Sequence, residues 1–219
     1  MFRSKSFNIN RPSISGHLIR SKSFSEIFPI SFNIRHSIVI KEANPSEVCS
    51  NMKEIIRNTM NNDWIDFNSA PCLNDEQRRW KARYDDALEI FNEVCSNSEI
   101  HILLSRPDKK TFFYIAYYMG HPIGVLQLSM YYKLPKVAFL ATHCGIQGCG
   151  KLLIEYAVNK SQQLGHNGKL YLKSLDNAQH VYKSMGFINA GEYLELNPAE
   201  RTDKWIWNSV KNCYKFKFF

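Results

Sequence analysis

The feature that most constrains the fold of this 219-residue chain is the run Gly145-Ile146-Gln147-Gly148-Cys149-Gly150-Lys151-Leu152-Leu153. Closely spaced glycines let the backbone approach a ligand, and helical periodicity begins directly after them. A glycine loop that opens a helix aims several N–H groups and the positive end of the helix dipole at one point. Such a junction suits a phosphate or pyrophosphate.

Two common nucleotide loops are excluded by single residues. Gly145, Gly150 and Lys151 fit G-x-x-x-x-G-K, but Leu152 stands where a nucleoside-triphosphate loop needs Ser or Thr to hold Mg²⁺. A dinucleotide fingerprint reads G-x-G-x-x-G, whereas the order in this chain is G-x-x-G-x-G.

Around this loop the pattern alternates between helical and extended segments. Ile38-Val39-Ile40 reads as a strand, and Asn44-Pro45-Ser46-Glu47 starts a helix with an Asn cap, Pro at the first position and Glu at N3. Val48, Met52, Ile55, Ile56 and Met60 share one face of that helix. A second helix starts at Asn74-Asp75-Glu76-Gln77 and buries Trp80, Tyr84, Ala87, Leu88 and Phe91. Between them, Asp63-Trp64-Ile65-Asp66-Phe67 reads either as a wall of a substrate site or as a loop packing its aromatics on the core.

Strands are expected at His101 to Leu104, Thr111 to Met119, Ile123 to Tyr131 and Val137 to Thr142, joined by turns short enough to make them antiparallel neighbours. The helix after the glycine loop places Leu153, Tyr156, Ala157 and Leu164 on one face and stops at Gly165. A strand over Lys169 to Leu175 follows, then a short helix from Asp176 to Met185 with Asp176 and Gln179 as a capping pair, then a strand at Lys204 to Trp207. An antiparallel meander followed by a strand-helix-strand crossover predicts an α/β (α+β) domain: a mixed, mostly antiparallel sheet with helices on both faces.

Charge divides the chain. Residues 1–36 carry six basic side chains against Glu26, residues 209–219 carry Lys211, Lys215 and Lys217 with no acid, and the stretch between is neutral. The net charge of +8 therefore sits on the two ends, and a basic folded face for nucleic acid is not indicated. The expected organisation is a basic, Ser-rich arm over 1–36, a folded domain over 37–208 and a basic aromatic tail over 209–219. The arm repeats Arg-Ser-Lys-Ser-Phe at Arg3 and Arg20, and its composition fits a disordered arm, a mitochondrial transit peptide or the signal of a secreted bacterial effector. No apolar run approaches the ~18 residues of a membrane span. Six cysteines without a C-x-x-C pair read as reduced thiols, which suits a cytoplasmic setting. His101, His121, His143, His166 and His180 are scattered, so no metal is expected.

The surviving loop pattern resembles the acyl-CoA loop of the GNAT N-acetyltransferase superfamily, and the order of elements over roughly 37–208 is similar to that family's. A second carrier is Ala178-Gln179-His180-Val181-Tyr182-Lys183-Ser184-Met185-Gly186-Phe187, which is similar to the family's alanine, tyrosine, Gly-Phe signature. The resemblance implies an N-acetyltransferase that moves an acetyl group from acetyl-CoA to an amine of a small molecule or protein. It implies that Leu140, Ala141, Thr142, Gly145, Gln147, Gly148, Cys149, Gly150 and Lys151 hold the acetyl-CoA, and that Tyr182 is the general acid for the departing thiolate.

The residues themselves leave alternatives open. Periodicity also allows Tyr182 to be a packed amphipathic residue. His143 at the strand-to-loop junction has the ordinary pKa of a base, or is a structural histidine, with Asp63, Asp66 or water as other bases. Cys149 is a loop filler or a thiol activated by the helix. Where the family has Gln or Arg this chain has Gly145, the family's asparagine before the tyrosine is Leu175, and Gln127 lies where many members carry a carboxylate. Two other functions stay in view: a CoA-binding regulatory module without turnover, and a secreted effector that acetylates a host protein.

Overall fold

The structure, a computed structural model, describes residues 37–60, 75–103, 110–131, 134–146 and 148–217. The arm over 1–36, the Asp63–Phe67 loop, Asn74 and Gln147 lie outside the described residues.

Strand β1 (Ile38–Ala43) leads into helix α1 (Pro45–Glu54), and the expected cap is complete: Glu47 N–H donates to Asn44 Oδ1, and Asn44 N–H donates to Glu47 Oε2. The helix widens into a π turn at Ile55–Thr59. Val48, Met52, Ile55 and Met60 are buried as their spacing predicts. Helix α2 (Asp75–Leu103) then crosses the sheet, burying Trp80, Tyr84, Ala87, Phe91 and Val94.

The strand expected at His101 to Leu104 is not formed, because α2 continues through Leu103. Its buried face carries on past the apolar run in Val94, Cys95 and Ser98, and His101 then packs edge-on against Phe113. Extending an existing helix adds a hydrogen bond per residue without a new nucleus, which outweighs the strand preference of a short apolar segment.

Strands β2 (Thr111–Tyr118), β3 (His121–Ser129) and β4 (Lys136–Thr142) form the antiparallel meander. Helix α3 (Cys149–Gln163) follows the glycine loop, and β5 (Leu170–Leu172) returns parallel to β4. A 3₁₀ turn at Asp176–Ala178 precedes helix α4 (Gln179–Ser184). The hairpin β6 (Ile188–Ala190) and β7 (Tyr193–Leu196) completes a seven-stranded mixed sheet ordered β1-β2-β3-β4-β5-β7-β6. The fold class is therefore the one expected: a mostly antiparallel sheet with one apolar core against α1 and α2 and another against α3.

Two further local expectations are corrected. Asp176 and Gln179 make no capping pair, since the 3₁₀ turn starts after Leu175 with no side-chain cap. The buried residues of α3 are Cys149, Leu152, Leu153, Ile154, Glu155, Ala157, Val158 and Ser161, while Tyr156 and Leu164 are exposed. Apolar side chains at Leu152, Leu153, Ile154, Tyr156, Ala157 and Val158 surround the helix and hide its stripe, so position relative to the sheet decides which residues go inside.

The last strand, β8 (Trp205–Asn208), is outside the main sheet and pairs with β9 (Cys213–Phe216). This hairpin seats Trp205, Tyr214 and Phe216 in the α3-side core. Two side chains one turn apart on α3 act as partners for β9. Asn159 Oδ1 accepts the Tyr214 N–H while its Nδ2 donates to Tyr214 O, and buried Glu155 accepts the Phe216 N–H.

Candidate active site

The site follows from one topological fact. β4 and β5 are parallel neighbours, so the segments after both strands emerge at the same end of the sheet. The glycine loop and α3 come after β4, and α4 with Tyr182 comes after β5.

The two strands stay together only at Lys136↔Tyr171 and Val137↔Leu172. β4 runs on to Thr142 beyond that pairing. Along Ala138 to Thr142 the β5-facing edge of β4 has no strand partner among the described residues. Interior strands usually pair on both sides, so this edge leaves main-chain N–H and C=O groups without a strand partner among the described residues.

Gly148 caps α3 in the left-handed region, at φ 82°, and a side chain at that position would be strained. The N–H groups of the first turn, at Cys149 and Gly150, have no acceptor within the helix. Tight packing holds this turn against β3 and β4. A methyl group on Gly124 would stand 3.1 Å from Ala141 O, 3.2 Å from Thr142 Cγ2 and 3.4 Å from Cys149 Sγ. Lys151 Nζ lies 5.6 Å from the centre of the Phe216 ring, which ties the loop to the C-terminal hairpin.

His143 is the pivot of the turn from β4 into the loop. Its own N–H donates to Ile123 O, and its carbonyl accepts from Ile146 N–H. Its ring is buried, with Nε2 2.9 Å from Thr59 O and Nδ1 accepting from Gly145 N–H at 3.1 Å. Both ring nitrogens thus face the main chain, the Gly145 N–H turns inward rather than toward a ligand, and the contacts require the neutral tautomer protonated on Nε2. Burial lowers the ring's pKa from its ordinary value, opposed by the hydrogen bond to Thr59.

A stability prediction follows from that shift. The unfolded chain binds a proton at about pH 6.5 that the folded ring resists, so stability falls as pH drops through that value toward the lower folded pKa. Thermal melts of His143→Gln should lack this part of the acid-side loss, whereas a wild-type-like pH slope in the variant would assign the effect to another group.

Tyr182 is half-buried against the α3-side core and meets Phe187 edge-on at 5.6 Å between ring centres. Burial pushes its pKa up to about 12, so the phenol keeps its proton at neutral pH. Cys149 is fully buried and its thiol is likewise raised to about 12 by burial, the reverse of what an activated nucleophile needs.

On the other face of the sheet, Phe139 of β4 meets Glu89, Asn92, Glu93, Ser96 and Asn97 of α2 in a shallow groove with two carboxylates. Neither carboxylate stood out in the sequence, because charges on an exposed helix face are ordinary and only tertiary packing sets them beside β4. Gln127 is buried in β3 between Phe113 and Phe139, and its Oε1 has no hydrogen-bond partner among the described residues. No helix among the described residues is long and apolar enough to cross a membrane.

No curated protein matches the sequence. Among solved structures, a GNAT-family protein from Desulfovibrio desulfuricans shares 10% identity at a TM-score of 0.50, covering 73% of this chain and 98% of that one. The PaiA N-acetyltransferase of Thermoplasma acidophilum in complex with coenzyme A shares 15% identity at a TM-score of 0.41, over 73% of this chain and 96% of that one. An aminoglycoside acetyltransferase from an uncultured soil metagenomic sample, in complex with sisomicin, shares 13% identity at a TM-score of 0.40, over 69% and 86%. The family model described as "Acetyltransferase (GNAT) domain" matches residues 79–198, more than half of the chain and the part that holds β4, the glycine loop and Tyr182. The chain belongs to the GNAT acetyltransferase family.

Proposed function

We propose that the protein transfers an acetyl group from acetyl-CoA directly to an amine, with acetyl-CoA entering where β4 and β5 part. The observation that carries this reading is the open edge of β4 at the same end of the sheet as the capped start of α3 and the α4 tyrosine. The pyrophosphate lies on the first turn of α3 at Gly148 to Lys151, where helix N–H groups and the dipole favour an anion. The thioester lies along Leu140 to Thr142.

In the reaction the amine nitrogen attacks the thioester carbonyl, a C–N bond forms and the C–S bond breaks. The departing thiolate takes the Tyr182 phenol proton, and solvent restores it. The proton lost by the amine goes to water. His143 has both nitrogens engaged by main chain, and Gln127 has no titratable group. The raised Cys149 thiol favours direct transfer over an acyl-enzyme route. The acceptor reaches β4 from the α2 side, where Glu89 and Glu93 favour a cationic amine.

The full chain incubated with acetyl-CoA and a panel of cationic amines, neutral amines, peptides and cell lysate tests this reading through free-thiol release and mass spectrometry. Acetylated cationic products that form faster than neutral ones are the expected result. CoA binding without any acetylated product would leave a CoA-holding module in place of an enzyme, and acetylation confined to lysate proteins would favour the effector reading.

A further inference from the structure

Away from the β4–β5 opening, α1 and α2 bring together four side chains that the transfer reaction does not use. Cys49 of α1 and Cys95 of α2 are buried with their sulfurs 3.2 Å apart. Glu99, one helical turn beyond Cys95, places Oε1 3.3 Å from Cys49 Sγ and 3.9 Å from Cys95 Sγ. Lys53, one turn beyond Cys49, donates to the same Oε1 at 2.9 Å. All three candidate donor atoms lie within 4.8 Å of one another.

We propose that Cys49, Cys95 and Glu99 form a binding site for a borderline-soft divalent cation, Zn²⁺, that clamps α1 to α2. Metal–ligand lengths of about 2.3 Å to sulfur and 2.0 Å to oxygen at tetrahedral angles require donors about 3.8 Å apart for the sulfur pair and about 3.5 Å apart for sulfur and oxygen. The observed triangle of 3.2, 3.3 and 3.9 Å reaches that geometry by shifts of roughly half an ångström. Two thiolates with one carboxylate suit Zn²⁺ better than a hard cation, which prefers an all-oxygen shell.

The site also has an entrance. The Glu99 and Lys53 side chains are about half exposed while both cysteines are buried, so an ion enters past Glu99 and keeps a water on its fourth position. Lys53 donates to Glu99 Oε1 and so holds the carboxylate beside both sulfurs. Binding forms two S–Zn bonds and one O–Zn bond, and each thiol gives its proton to solvent. Two thiolates, a carboxylate and Zn²⁺ sum to −1, which the Lys53 ammonium beside them neutralises.

The test uses the full-length protein reduced with a non-chelating phosphine and titrated with Co²⁺ as a spectroscopic stand-in for Zn²⁺. The expected result is a thiolate-to-cobalt charge-transfer band that saturates at one equivalent, is bleached by Zn²⁺, and weakens as pH falls because two protons compete. Cys49→Ser and Cys95→Ser should each lower Co²⁺ affinity by about tenfold or more, and so should Glu99→Gln, a change at a half-exposed carboxylate with little effect on folding. Melting temperature should rise with Zn²⁺ in the wild type and not in Cys95→Ser. Absence of the charge-transfer band overturns the proposal, and so does a band that survives both serine variants, which would place the ion on other cysteines. Ready oxidation of Cys49 and Cys95 to a disulfide, with no Co²⁺ binding by the reduced protein, would show a thiol pair without a metal function and also overturn it.

Discussion

Tyr182→Phe should lower kcat by about a hundredfold while leaving the KM for acetyl-CoA within about twofold. The substitution removes one hydroxyl from a ring that stays packed against Phe187 and the α3-side core. Among the described residues that hydroxyl makes no hydrogen bond, so the fold loses little, and wild-type and variant melts should nearly coincide. A hundredfold change corresponds to about 2.7 kcal/mol of transition-state stabilisation, within the range of a positioned proton donor. Because burial holds the phenol near 12, its protonated fraction is constant around neutrality, and the wild-type rate should show no alkaline loss from this group until pH nears that value. An unchanged kcat in the phenylalanine variant would take Tyr182 out of the mechanism. A raised KM with unchanged kcat would make it a binding residue instead.

Glu155→Ala should be among the most destabilising single changes in the chain, at roughly 3 kcal/mol, or a fall of about 6–12 °C in Tm. Glu155 is 3% exposed on α3, and its carboxylate accepts the Phe216 N–H at 2.9 Å and the Lys215 ammonium at 2.7 Å. The alanine takes the acceptor away from a buried main-chain N–H and opens a void under the hairpin. The lysine contact is only partly buried, since the Lys215 side chain is 53% exposed while that of Glu155 is 3% exposed, and water can reach the ammonium end of the pair. Lys215→Met keeps the Phe216 bond and should therefore cost clearly less than Glu155→Ala by chemical denaturation, and equal costs for the two variants would refute the role of the main-chain bond. α3 also carries the proposed anion site at its start, with Lys151 over Phe216. The hairpin thus braces the helix whose first turn the proposed cofactor needs.

The two predictions differ in how visible their residues were beforehand. Tyr182 lies in a short contiguous stretch, Ala178 to Phe187, that is similar to the family's signature and is therefore legible in the sequence. No local spacing sets Glu155 apart from other helix acids, and Phe216 belongs to the stretch that composition marks as a basic tail. Their partnership spans 61 positions, and no periodicity reports a contact at that distance. The Cys49–Cys95–Glu99 cluster is not legible in the sequence for the same reason. Metal-ligand spacing is readable when ligands share a turn or a knuckle, whereas the two cysteines lie 46 positions apart on different helices.

His143 shows the limit from the other side. Its place between β4 and the glycine loop made it a reasonable base, since an unperturbed imidazole titrates near neutrality. The π turn after α1 carries Thr59 O to within 2.9 Å of its Nε2, and the loop folds Gly145 N–H back to its Nδ1. A sequence names a titratable group but not the partners that occupy its lone pair and its proton.

By itself the sequence determined the elements whose signals are local. These are the Asn44 cap, the alternating strand β1, the short turns of the meander, the start of α3 at the glycine loop and the tyrosine helix after it. Capping, alternation and glycine conformation act within a few residues, so they survive without tertiary context. Only the tertiary structure decided the rest: that α2 runs through Leu103, that β8 and β9 leave the main sheet to brace α3, that β4 parts from β5 after Val137, and that two distant cysteines meet. Each of these depends on which apolar faces find each other, and burial energy grows with area whatever the sequence separation of the residues that supply it.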